Sequence, residues 1–275
     1  MKSFHFVKLN PSGNTTGLIL EKTAQQDRSS LAASMMTSAS LGTEQIAFAD
    51  FPGPEPCDYS LAMMGGEFCG NAVRSAAAWM AFDRMRWQPE EITAQSVRSY
   101  SVACSGAEGI FSCQVKPIDE CRFYVSSQMP HPTSFRTEVI DGRTWGCVAF
   151  QGIVHYICTE PADEAGRSGI VADMLRRTDH VPQGARGVLF WNSGVLDPWV
   201  YVSKTNTLCR ETSCGSGSAA VGAWEAYTGR KKEGKTAVRQ KGGLIDVSYA
   251  ADHSGISICI GGEVKIEAEG IVYLS

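Results

Sequence analysis

Short β-like runs, punctuated by Gly, Asn and Pro, cover most of the chain. These runs predict strands over Ser3 to Leu9 and Thr16 to Glu21, joined by the turn Asn10-Pro11-Ser12-Gly13-Asn14, and further strands over Glu44 to Asp50 and Tyr59 to Met64. Val97 to Cys104 and Gly109 to Lys116 read as a hairpin turning at Ser105-Gly106; strands recur as far as Thr159, and the tail from Gly243 to Ser275 alternates apolar and polar residues as strands do. Other stretches break this pattern. Ser29 to Leu41 reads as a helix ending before Gly42, Asp163 to Arg177 as a second, and Ala-rich helices follow Cys69 and Cys214. Strands interrupted by a few helices give an α+β chain.

The two Ala-rich helices expose an internal repeat. Cys69-Gly70 is matched by Cys214-Gly215, Ala78-Trp79 by Ala223-Trp224, Ala81 by Ala226 and Phe82 by Tyr227, all at one constant offset. The period is far longer than that of a solenoid, so the chain reads as two homologous halves. Each half owns a helix too rich in Ala and aromatics to lie on a surface, and a sheet wrapped around it buries it on all sides. The expected architecture is two pseudo-symmetric lobes, each a curved, mostly antiparallel sheet around its helix. The boundary is expected in the turn-forming stretch Pro117 to Glu120, giving lobes of residues 1–118 and 119–263.

Composition narrows what such a protein does. With 275 residues and a net charge of -4 there is room for two cores but no field for gripping nucleic acid. The one cationic cluster, Arg230, Lys231, Lys232 and Lys235, is broken by Glu233 and reads as a solvated turn. No apolar run approaches the ~18 residues that span a bilayer, and the start lacks a signal peptide's apolar stretch. A cytoplasmic protein is expected, its ten cysteines reduced and mostly buried. No CxxC or close Cys/His pair exists to hold a metal, and Cys104, Cys113 and Cys121 are too widely spaced for a ligand knuckle.

The chemistry lies at the repeat. A cysteine at the mouth of a buried helix meets unpaired N–H groups and the positive end of the helix dipole, which lower a thiol's pKa and bind carboxylates. Gly70-Asn71 and Gly215-Ser216 are small or amide-bearing, so a ligand can approach the backbone. Two thiols facing one small acid from opposite sides suit stereoinversion, one group removing the α-proton and the other delivering a new one. Nothing in the sequence points to pyridoxal phosphate, so no cofactor is expected. Cys209, followed by Arg210 and Glu211 rather than by glycine, reads as inert.

These residues resemble the diaminopimelate epimerase family of cofactor-independent enzymes, with one catalytic cysteine in each of two lobes. Glu67-Phe68-Cys69-Gly70-Asn71-Ala72-Val73-Arg74 is similar to the family's E-x-C-G-N-G-x-R, and Ser213-Cys214-Gly215-Ser216-Gly217 to its A-C-G-T-G. Gly13-Asn14 resembles its G-N-D loop, Glu44-Gln45 its acid-Gln pair, and Gly152 to His155 matches G-N-P-H at its two ends. The resemblance implies that Cys69 and Cys214 are the bases, that Asn14, Glu67, Asn71 and His155 line the substrate, and that the last strand, residues 264–275, returns to the first lobe. It also implies a homodimer.

Departures fall where the distal end of diaminopimelate would be read: Ile153-Val154 replaces N-P, Gly184-Ala185-Arg186 replaces a G-T-N segment, and the Glu-Arg pair becomes Thr205-Asn206, leaving Glu211 as the nearest carboxylate. Within the family, Asn10 to Asn14 and the Glu44-Gln45 strand are most similar to the histidine racemases of opine-type metallophore synthesis. An imidazole would suit this pocket, with Glu44 or Glu211 accepting its N–H. The expectation is a racemase of histidine, with diaminopimelate or another amino acid as the alternative substrate. A proton-shifting isomerase of the phenazine-synthesis type, which does not require both thiols, and an amino-acid-binding protein, which needs neither, are the other classes.

Overall fold

The computed structural model of the chain describes residues 2–50, 57–87, 96–180, 184–203, 206–229, 232–253 and 255–274. They fall into two compact units, one of residues 1–128 with 261–275, the other of residues 129–260.

The first unit contains β1 (Lys2–Pro11), β2 (Thr16–Ile19), α1 (Gln25–Met36), β3 (Gln45–Ala49), β4 (Tyr59–Met63), α2 (Gly70–Trp87), β5 (Arg98–Cys104), β6 (Phe111–Pro117) and β7 (Arg122–Gln128). The chain's final strand, whose residues 264–274 pair antiparallel with β1 from Lys2↔Leu274 to Pro11↔Val264, closes these strands into an eight-stranded barrel. Strands β2 and β3 run parallel, as do β4 and β5; the hairpins β1–β2, β3–β4, β5–β6 and β6–β7 are antiparallel. Pro117 to Glu120 lie at the β6–β7 turn, closed by the Ile118 N–H donating to Arg122 O at 2.8 Å.

Helix α2 fills this barrel. It touches β1, β2, β4, β5, β6 and β7, and every residue from Gly70 to Trp79 is buried. Ala72, Ala76, Ala77, Ala78 and Ala81 are small enough for strands to approach from all sides, and Val7, Leu9, Leu18, Val115 and Val264 supply the inward faces.

Helix α1 lies elsewhere, against β3, with Ala32 and Met35 packed on Ile19, Ile46 and Phe48. It runs from Gln25 to Met36 rather than over the expected Ser29 to Leu41. Thr37 turns extended at ψ 149, the Ser40 and Gly42 N–H groups both bond its carbonyl at 3.0 Å, and Gly42 takes the left-handed φ of 58°. Leu41 packs on the same apolar patch from this turn, which is why the apolar period outruns the helix.

The second unit contains β8 (Ser134–Ile140), β9 (Arg143–Phe150), β10 (Ile153–Cys158), α3 (Glu164–Arg177), β11 (Ala185–Asn192), β12 (Val195–Val202), β13 (Thr207–Arg210), α4 (Gly215–Gly229), β14 (Glu233–Gln240), β15 (Gly243–Asp252) and the start of β16 (Gly255–Leu274). The strands hydrogen-bond in the order β16, β15, β14, β12, β11, β10, β9, β8, with β13 added on β12. Helix α4 touches β9, β10, β11, β14 and β15 and is buried from Gly217 through Ala223. Helix α3 packs Val171 and Met174 against Val188 and Phe190.

The basic cluster is not wholly a turn. Lys235 is exposed on β14, whose ladder with β15 begins at Glu233↔Ala250; Arg230 and Lys231 lie outside the described residues. Among the described residues no helix is long and apolar enough to cross a membrane.

Candidate active site

Cys69 stands at the entrance of α2, where its carbonyl accepts the first helical bond, from Val73 N–H at 3.0 Å. Its sulfur accepts the Ala72 N–H at 3.4 Å, so the cysteine caps its own helix. The Gly70 and Asn71 amides sit ahead of the helical ladder, at the positive end of the dipole. The thiol is partly exposed and donates to Gln45 Oε1 at 3.2 Å, while Gln45 Nε2 donates to Thr16 Oγ1 at 2.7 Å. Turning that amide over offers its NH2 to a thiolate and its oxygen to the Thr16 hydroxyl, so Gln45 can serve either protonation state.

Cys214 repeats the arrangement at α4. Its carbonyl accepts the Ser218 N–H at 3.0 Å and its sulfur the Gly217 N–H at 3.3 Å. A Cβ on Gly217 would sit 3.2 Å from that sulfur and 3.1 Å from Leu189 Cδ2, so glycine keeps the cap tight. This thiol is buried, 3.5 Å from Ser216 Oγ. Burial drives it well above the ordinary thiol range, and the neighbouring Glu211 carboxylate, hydrogen-bonded to the sulfur, pushes the same way.

Other sequence-derived candidates divide between the two units. In the first unit Asn14 is buried beyond the β1 turn, and Asn71 accepts at Oδ1 from Arg74 Nη2 at 2.7 Å. The Glu67 carboxylate lies against Gly65, where a Cβ would collide with it, and its carbonyl accepts the Ser105 hydroxyl at 3.1 Å. Glu44 is exposed beside inward-facing Gln45, because neighbours on an extended chain point to opposite faces. In the second unit, Gly215 and Ser216 begin α4.

His155 is wholly buried on β10, over Gly187 of β11, where even a methyl group would overlap the ring. Neither ring nitrogen has a partner, and burial lowers its pKa to about 3, so the imidazole is neutral. Arg186 does not replace the family's amide: its Nη1 donates to Leu175 O at 2.8 Å, at the end of α3. Cys209 is exposed on β13.

Two residues of these sites escaped the sequence reading. Gln240 Oε1 accepts the Cys214 N–H at 2.7 Å while its Nε2 donates to Ser218 Oγ at 3.0 Å, and that hydroxyl donates to Cys214 O at 2.7 Å. Thr16 holds Gln45. Thr16 acts across the β2–β3 pairing and Gln240 from β14 onto the start of α4, contacts that no local motif announces.

Solved structures share the fold across the chain. A hydroxyproline epimerase from Agrobacterium vitis, with bound trans-4-hydroxy-L-proline, has a TM-score of 0.70 at 10% identity, covering 99% of this chain and 93% of its own. A phenazine biosynthesis protein of the PhzF family from Bacillus anthracis reaches 0.63 at 15% identity, covering 100% of both chains. In sequence, the histidine racemase of Fusobacterium nucleatum subsp. nucleatum is 29% identical over 276 residues, covering 98% of this chain and 97% of its own. That of Staphylococcus aureus is 27% identical over 278 residues, covering 98% and 97%.

A racemase-type fold and relatives matched end to end make this protein an isomerase of the amino acid racemase and epimerase class. The chain belongs to the histidine racemase CntK N-terminal domain family, whose profile matches residues 3–273, and the resemblance to histidine racemases seen in its motifs is borne out.

Proposed function

We propose that the enzyme interconverts L- and D-histidine without a cofactor, with Cys69 and Cys214 as its two bases. The observation that carries this reading is the shared geometry of the two helix mouths: each sulfur caps an Ala-rich buried helix and accepts its third N–H, at 3.4 and 3.3 Å. In the proposed reaction the two sulfurs act on opposite faces of one amino acid. The substrate carboxylate lies on the amides at positions 70, 71, 215 and 216, which take up charge as the α-carbon becomes a carbanion. One sulfur, as thiolate, removes the α-proton, the other, as thiol, delivers its own to the opposite face, and the roles exchange for the reverse direction.

Burial and Glu211 favour Cys214 as the protonated partner of the resting pair. Asn14, Glu67, Asn71 and His155 complete the lining, and Glu211 or Glu44 accepts the imidazole N–H. Full-length similarity to histidine racemases supports the substrate. Ten free thiols suit the reducing cytoplasm, where we place the enzyme, as a homodimer.

The test is incubation with single enantiomers of histidine, proline and diaminopimelate in deuterated water, read by NMR and optical rotation. Histidine should exchange its α-hydrogen and invert from either side. Inversion of another amino acid with histidine untouched would reassign the substrate; exchange of none would remove the racemase reading.

A further inference from the structure

Gln45 joins the Cys69 sulfur to Thr16 in a dry place, for Thr16 has no exposed surface and Gln45 is 8% exposed. The amide oxygen accepts from the thiol at 3.2 Å, and the amide nitrogen donates to Thr16 Oγ1 at 2.7 Å. The Thr16 hydroxyl donates onward to Asn14 O at 3.5 Å, the limit of a hydrogen bond. Gln240 in the second unit is bonded differently. Its oxygen meets the Cys214 N–H, which can only donate, and its nitrogen meets the Ser218 hydroxyl, whose proton goes to Cys214 O at 2.7 Å. Gln240 therefore fits one way round, whereas both partners of Gln45 can give a proton or take one.

That difference matters whenever Cys69 changes protonation state. With a thiol, the observed arrangement satisfies both ends of the amide. With a thiolate, the same arrangement would set the amide oxygen against a negative sulfur at 3.2 Å. Half a turn about the last side-chain bond, a soft torsion, brings the NH2 to the thiolate and the oxygen to the Thr16 hydroxyl. The hydroxyl swings with it and gives up only its 3.5 Å bond to Asn14 O. Both bonds of the amide survive, and the one to sulfur becomes charge-assisted.

We infer that Thr16 is a positioning residue of the Cys69 half-site: its reversible hydroxyl lets the Gln45 amide turn over with each change in the sulfur's protonation, so that the sulfur is held in one place both as base and as acid. The inference deepens the two-base reading, in which Cys69 alternates between those roles, and rests on it.

The pH profile of Cys69 alkylation by iodoacetamide, located by mass spectrometry, tests the relay without substrate. The ionisable groups around Cys69 are Arg74 on α2, Cys104 on β5 and Glu67 ahead of the helix; the substitutions leave all three in place, so differences between variants report the relay. A turning amide favours the thiolate over the thiol, so Gln45→Leu and Gln45→Met should each raise the midpoint by about one pH unit, slowing alkylation at pH 7 about tenfold. Thr16→Val takes away the hydroxyl that polarises the turned amide and should raise the midpoint by about half as much, while Thr16→Ser should match the wild type. With histidine, Thr16→Val should lower kcat about three- to tenfold in both directions with KM changed less than about twofold, and Thr16→Ser should restore it. An amide fixed with its oxygen on the sulfur gives the opposite sign. A midpoint unchanged or lowered in whichever Gln45 variant folds, or in Thr16→Val, would overturn the inference. Raised midpoints in a protein that racemises no amino acid would leave the relay standing and remove the two-base reading.

Discussion

Replacing Gln240 by Leu tests whether a strand residue holds the Cys214 mouth together. Gln240 is 8% exposed, so water cannot take over its bonds. The Leu side chain fills nearly the same volume but removes the acceptor for the Cys214 N–H, now at 2.7 Å, and the donor to Ser218 Oγ, now at 3.0 Å. Orphaning the buried N–H costs about 1–3 kcal/mol and losing the second bond about 1 kcal/mol, together about 2–4 kcal/mol. For a chain of this size each kcal/mol lowers Tm by about 2–4 °C, so a fall of about 5–15 °C is expected. Ser218 keeps its 2.7 Å bond to Cys214 O, so α4 should persist while its first turn loosens. The catalytic signature is a drop in kcat larger than any change in KM, since the capping sulfur loses its fixed position. Urea unfolding of the two proteins, with steady-state kinetics on histidine, measures both effects. A stability loss under about 0.5 kcal/mol would refute the claim that this bond is buried and unreplaced.

Other expectations follow from the same structure. Cys69→Ser and Cys214→Ser should each abolish racemisation in both directions, while each retains α-hydrogen exchange of one enantiomer, opposite in the two variants; near wild-type racemisation by either would exclude a two-thiol mechanism. His155, neutral in the fold with its pKa lowered to about 3, binds fewer protons than in the unfolded chain. Its stabilisation is therefore full above about pH 6.5 and lost as pH falls toward 3, by about 2–3 kcal/mol between pH 6.5 and 4.5. Denaturation at both pH values should show this loss in the wild type and a smaller one in His155→Phe. Gly187→Ala forces a methyl group into the His155 ring and should cost about 1–3 kcal/mol; pairing it with His155→Ala should recover part of that, and strict additivity would show that the two residues do not touch.

Much of this protein is written locally. The strand-like runs over Lys2 to Pro11 and Tyr59 to Met63, the Ala runs of α2 and α4, and a cysteine followed by glycine at each helix mouth depend on neighbours within a turn or a strand, so a linear reading finds them. The matched helices and their motifs were enough to reach the racemase family. Local reading failed where a residue's partner is remote in sequence. Leu41 extended the apparent helix because it packs from a turn onto the same apolar patch that Ala32 and Met35 of α1 share with β2 and β3. Gln240 carries no motif; only the packing of β14 against the start of α4 aims its amide at Cys214. Arg74 was legible as a motif letter, yet its complete burial against Asn71 and Ser12 is a property of the closed barrel. A chain's own pattern determines which faces turn inward, whereas the cost of a buried charge or amide, and the partner that meets it, is decided only when distant strands close around it.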